Sequence, residues 1–167
     1  MKKAIKLFMF ILLITSLSLF STSCKKSDPN SGIAASSQWS FDGGTYKPIQ
    51  TLSAIAFNQQ ALYGIGPGQP GIYIYFGTNT QKAGVYNVVN GPSVNLTYNQ
   101  CVISIITTNQ LSFYSLGSPG GTVTVTVSGG KMTASFNNIT VANIQNNVIT
   151  STGTVSGTLV HTQPIIQ

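Results

Sequence analysis

The chain predicts an all-β domain, a single antiparallel β-sandwich of about 9–11 short strands, with a closed β-barrel as the alternative. Three observations predict it. From Gln38 onward the sequence is rich in Val, Ile, Thr, Tyr and Phe, with Gly, Pro or Asn breaking it roughly every 6 to 12 residues. No helical period extends beyond two turns. Finally, Thr122 to Phe136 (TVTVTVSGGKMTASF) alternates apolar and hydroxyl residues on both sides of a Gly-Gly pair.

Taken in chain order, Gln38 to Phe41 and Thr45 to Lys47 flank Asp42-Gly43-Gly44, whose residue types favour a turn. Leu52 to Phe57, Ala61 to Ile65, Ile72 to Phe76, Gly84 to Val88 and Val94 to Tyr98 follow as short strands. Cys101 to Thr107 and Leu111 to Leu116 come next. In the Thr122–Phe136 unit, Gly129-Gly130 is a two-residue hairpin turn. Closing it pairs Val127 with Met132, Val125 with Ala134 and Val123 with Phe136, all on one side. The other side carries Thr126 with Thr133 and Thr124 with Ser135. Apolar residues on one face and hydroxyls on the other, in register on both arms, describe a half-buried ribbon. Ile139 to Val141 is a further strand, and Val148 to Val160 is the last and longest. In it Ile149, Val155 and Leu159 share a face, while Gly153 and Gly157 suggest a bend or bulge.

Charge is scarce. The 167 residues include eight Lys, no Arg, two Asp (Asp28, Asp42), no Glu and one His, so 6% are charged, against about 25% in an ordinary domain. Two Asp in different segments cannot form a carboxylate pair for acid–base chemistry. No His/Cys/Asp/Glu cluster suggests a metal site, so no cofactor is expected. The net charge of +6 shrinks to +3 from Cys24 onward. No basic stripe remains for phosphates, so nucleic acid is not an expected partner. The chain is expected not to be an enzyme.

Several patterns imitate chemical motifs. Gly66 to Gly71 reads G-x-G-x-x-G, but two prolines interrupt it and a strand follows, where a dinucleotide site needs a helix. Ser128 and Lys131 read S-x-x-K but are the shoulders of the hairpin turn. His161 lies six residues from the C-terminus with no nucleophile elbow in the chain. Cys101 opens an apolar strand and reads as a small core hydrophobe. Tyr73 and Tyr75 differ from these: with Ile72, Ile74 and Phe76 facing the core, the two tyrosines stand in a row outside. Rings so placed can stack on sugars or peptides, which makes this pair the candidate binding face.

The first 24 residues have their own logic. A basic head (MKKAIK) precedes a 14-residue apolar run, Leu7 to Phe20, then Ser21-Thr22-Ser23 and Cys24. That order is a secretory signal, and the run is short of the roughly 20 residues a membrane span needs. A small residue followed by Cys directly after the run resembles the lipobox of bacterial lipoproteins, with Ser21 where the common pattern has Leu. The resemblance implies removal of residues 1–23 and lipid attachment at Cys24. It also implies membrane association through several acyl chains, most consistent with the outer membrane, in either leaflet. Residues 24–37 (CKKSDPNSGIAASS) read as a flexible tether, and residues 38–167 as one domain.

The wider layout is similar to that of small Bacteroidetes-type β-sandwich lipoproteins of unknown function. The likeness rests on Trp39 before an Asp-Gly turn, Gly84-Val85-Tyr86, the hydroxyl-rich hairpin and the terminal ITSTGTVSGTL. It transfers no site residue. The functional expectation is a lipid-anchored envelope protein with a non-catalytic binding or structural role, contacting glycan or an envelope protein. A small-ligand carrier of barrel type is the alternative, and a hydrolase a remote one.

Overall fold

The computed structural model describes residues 37–56, 59–78, 82–91, 95–117 and 119–162. The predicted signal segment, Cys24 and the tether as far as residue 36 lie outside the described residues. Ser37, at the tether's end, is buried and bonded to Thr51 and Val160, so the folded body takes it in.

Among the described residues the regular elements are all strands. They are β1 (Gln38–Phe41), β2 (Gly44–Tyr46), β3 (Gln50–Ala56), β4 (Gln59–Ile65), β5 (Gly71–Phe76) and β6 (Gly84–Val88). After them come β7 (Gln100–Ile106), β8 (Ser112–Ser115), β9 (Thr122–Ser128), β10 (Lys131–Gln145) and β11 (Val148–Thr162). The all-β expectation is met, and the strand number falls at the top of the predicted range.

Hydrogen bonding joins them in the order β2-β1-β11-β10-β9-β6-β7-β5-β4-β3, with β8 between β10 and β7. The two 15-residue strands β10 and β11 produce the layering. The first part of β10, Lys131 to Phe136, pairs with β9, whereas Val141 to Asn143 pairs with β8. Between them the register slips at Asn137-Asn138, and Asn138 takes φ 51°. A bulge of this kind lets one strand pass from one layer to the other. Polar bonds hold it: Asn138 N–H donates to Ser156 Oγ (2.8 Å), and Ser156 Oγ–H donates to Asn137 Oδ1 (3.1 Å). The irregularity anticipated from Gly153 and Gly157 is therefore real, with the extra residue on the facing strand. Gly157 lies under Trp39, and Gly153 lies under the Phe41 ring.

The inner faces share one apolar cluster. Trp39, Leu62, Ile72, Ile74, Phe76, Ile103, Ile105, Val123, Val141, Val155 and Leu159 are all at most 1% exposed. Phe41 meets Phe113 edge-on at 5.0 Å, and Phe76 meets Tyr86 at 4.8 Å. The path ends at β2 and β3, which are not paired with each other among the described residues. Because β8 joins β7 to β10, the strands β10, β9, β6, β7 and β8 close into a hydrogen-bonded ring, from which the other strands extend around the shared core.

The Gly-Gly hairpin has the predicted register, with Val127, Val125 and Val123 opposite Met132, Ala134 and Phe136. Gly129 and Gly130 have φ of 57° and 71°, as a type I′ turn requires. Val127 is nevertheless 53% exposed although its partner Met132 is buried, because β6 pairs β9 only as far as Val125 and does not cover that edge. Ile149 does not share the buried face of Val155 and Leu159 as expected: the register slip at Thr150 pairs it with Ile144 on the opposite parity, and it is 51% exposed.

Three expectations need correction. Asn95 to Tyr98 is loop and turn: Gln100 N–H donates to Thr97 O, and Thr97 N–H to Gln100 Oε1, closing the chain on itself. Ile139 to Val141 is an interior segment of β10, since the bulge bends the strand without ending it. The sheet is not purely antiparallel, because β6 and β7 pair in parallel at Asn87–Gln100 and Val88–Cys101.

Candidate functional site

Alternation places Tyr73 and Tyr75 where the sequence predicts, on the outer face of β5, while Ile72, Ile74 and Phe76 are completely buried behind them. Register brings more rings to this face. Tyr63 on β4 lies directly opposite Tyr73, which lies opposite Ser104 on β7. Ser104 lies opposite Tyr114 on β8, and Tyr114 opposite Ala142 on β10. Three strand steps separate Tyr63 from Tyr114, roughly 14 Å at the usual spacing.

The rings are ordered among themselves. Tyr63 and Tyr73 have centroids 5.7 Å apart and planes 21° apart, and Tyr73 and Tyr75 are 6.4 Å and 10° apart. Tyr73 leans along its strand over Gly71, whose missing side chain leaves it room. Ser104 and Ala142 are small, so no bulky side chain separates the rings across the rung. All four tyrosines are half-buried. Burial raises the Tyr75 phenol above its ordinary value, and the nearby Tyr73 and Tyr114 phenols add to the shift. The Tyr75 hydroxyl therefore acts as a neutral hydrogen-bonding group. The result is an uncharged run of three near-parallel rings, Tyr63, Tyr73 and Tyr75, with Tyr114 further along the same rung.

Tyr63 had a usable signal, since Leu62 beside it is a core residue and a hairpin across Gly66 to Pro70 brings it opposite Tyr73. Tyr114 had none, because β8 pairs only with strands distant in sequence.

The other candidates have structural roles. Cys101 is fully buried, its thiol lies 3.9 Å from the Tyr86 carbonyl oxygen, and burial pushes its pKa up to about 12. A thiol held protonated is a poor nucleophile. His161 is 9% exposed, and its Nδ1 lies 3.0 Å from the Thr51 carbonyl oxygen. A carbonyl only accepts, so Nδ1 carries the proton and the ring ties β11 to β3. Gly66 to Pro70 is the β4–β5 loop, where Gln69 Nε2–H donates to the Lys47 carbonyl (3.1 Å). Ser128 and Lys131 are exposed beside the hairpin turn. Cys24 lies outside the described residues, among which no group of three His, Cys, Asp or Glu side chains could hold a metal ion.

Comparison with protein-family models, curated proteins and solved structures finds no match to this chain.

Proposed function

We propose that the protein is a lipid-anchored cell-envelope protein whose β-domain binds glycan non-catalytically through the Tyr63–Tyr73–Tyr75–Tyr114 strip. The tyrosine strip carries this reading. Ring faces pack against the C–H face of a sugar, and phenol hydroxyls reach the sugar's own hydroxyls. A stacking platform for nucleic acid would need cations along the backbone path, but the described residues contain only Lys47, Lys82 and Lys131, with Asp42 as the one acid. The non-catalytic role is supported by the protonated, buried Cys101 and by the His161 tie to Thr51.

The anchor rests on the signal-like leader and the lipobox-like Cys24. The outer membrane is the proposed location, with the tether holding the domain off the lipid. Metabolic labelling with a clickable fatty acid tests it: the parent chain takes up label and Cys24→Ser does not.

Binding is tested by equilibrium pull-down on envelope and dietary polysaccharides, comparing the parent with Tyr73→Ala/Tyr75→Ala. Two stacking contacts at about 1 kcal/mol each predict a loss of roughly 10-fold or more. Failure of the parent protein to bind any polysaccharide would sink the reading.

A further inference from the structure

The rung that carries the tyrosines continues beyond Tyr114. Ala142 lies opposite Tyr114 on one side and opposite Thr152 of β11 on the other. From there the outward positions of β11 are Thr152, Thr154, Ser156 and Thr158, a row of hydroxyls about 20 Å long at the usual strand rise. Two grooves lie along this row. One, of about 440 Å³, is lined by Thr152 and Thr154 together with Ser40, Thr140 and Asp42. The other, of about 630 Å³, is lined by Ser156 and Thr158 together with Thr124, Ser135 and Asn137. The second sits at the bulge, floored by Phe136 and Gly157.

We infer that this hydroxyl row is a second arm of the same binding surface, and that the ligand is a neutral polysaccharide long enough to cross from the rings to the row. The inference rests on the glycan reading above. Charge argues for a neutral polymer. The groove-lining groups are hydroxyls and amides, with a single carboxylate, Asp42, at one end and Lys131 beyond the other. Lys82 is engaged with the Tyr98 ring, its Nζ 5.7 Å from the centroid. An anionic chain would find no row of cations to offset its loss of water, and Asp42 would repel it. A neutral chain can exchange hydrogen bonds with the row one for one. Length follows from geometry, because Thr152 shares the tyrosine rung two strand steps from Tyr114 and the rest of the row runs on along β11.

The test uses the full-length protein on soluble amylose, mannan and mixed-linkage β-glucan, each as a size series, with polygalacturonate as the anionic contrast. Ser156 is left intact because it holds the bulge, and the row variant is Thr152→Val/Thr154→Val/Thr158→Val. Valine keeps the size and strand preference of threonine, and far-UV circular dichroism checks that the variant folds. The expected result is that the parent's affinity for a neutral polymer rises with chain length and exceeds that for polygalacturonate. The row variant should lose roughly 10-fold or more on long chains and little on short ones. Should the parent bind no polymer, the glycan reading and this inference fall together. Binding that is lost in Tyr73→Ala/Tyr75→Ala but unchanged in the row variant and independent of chain length overturns the second arm alone. Equal or tighter binding of polygalacturonate overturns the neutral class. The length series on the parent decides the matter even if the row variant does not fold.

Discussion

Gly157→Ala should cost the fold about 2–3 kcal/mol. A Cβ built at Gly157 stands 2.5 Å from both Cα and Cβ of Trp39 and 2.6 Å from the Gln38 carbonyl oxygen. Favourable carbon–carbon contacts begin at about 3.5 Å, so roughly 1 Å of overlap must be relieved. Two of these three atoms are backbone, and the third is attached directly to it, so no rotamer change removes the clash. Strand β1 has to move outward, which weakens its four-residue pairing with β11 and uncovers Trp39, now 1% exposed. Overpacking of a filled core costs about 1–3 kcal/mol, and a clash against backbone belongs in the upper part of that range. At about 4 °C per kcal/mol for a domain of this size, Tm falls by roughly 8–12 °C. The comparison is Gly84→Ala, where an added Cβ meets nothing within 4 Å, and whose stability should change by under about 0.5 kcal/mol. Thermal melts followed by circular dichroism measure both. The single tryptophan adds a local report, since displacement of β1 would shift its native emission to the red. Equal melting temperatures for the two variants would refute the account of how β1 seats on β11.

Two further predictions concern groups the fold has altered or constrained. Cys101 should resist iodoacetamide in the native protein at pH 8 and react once unfolded, because a pKa of about 12 leaves roughly one thiol in ten thousand ionised; rapid native labelling would contradict its burial. The same shift implies alkaline instability. The folded pKa lies above the thiol's ordinary value of 9.0, so the contribution is complete below about pH 9 and declines as pH rises toward 12, by about 1.4 kcal/mol per unit. Tyr75 and Tyr86, also raised by burial, act in the same direction. Denaturant titrations should therefore show a shallower slope for Cys101→Ala than for the parent over that window, and parallel slopes would count against the assignment. At the bulge, Asn138→Gly should be nearly neutral and Asn138→Ala should cost about 1 kcal/mol, because φ 51° suits glycine and asparagine but crowds an alanine Cβ. Urea unfolding midpoints distinguish the two, and equal midpoints would argue against a left-handed Asn138.

The features legible in the sequence were local ones. Alternation identified the inward and outward faces of the Thr122–Phe136 hairpin and of the Ile72–Phe76 strand, because a side chain's face follows from parity alone. The two glycines at 129 and 130 set the turn, and the turn set the register. Tyr73 and Tyr75 were legible for the same reason.

The long-range features could not be read from one strand at a time. The tyrosine strip gains Tyr114 because β8 inserts between β7 and β10, and strand periodicity says nothing about which distant strand will be a neighbour. Asn137-Asn138 reads locally as a strand break, and it became a corner because β10 has β9 on one side of the bulge and β8 on the other. His161 lies six residues from the end of the sequence with no local pattern to name its partner, yet folding brings it to Thr51, 110 positions away. The sequence alone therefore determined the fold class, the faces and the scarcity of charge, which are properties of neighbouring residues and composition. The tertiary structure decided which faces meet, because partner choice depends on the packing of the whole sheet around one core. That choice brought Tyr63, Tyr73, Tyr114 and Thr152 onto one rung of the sheet.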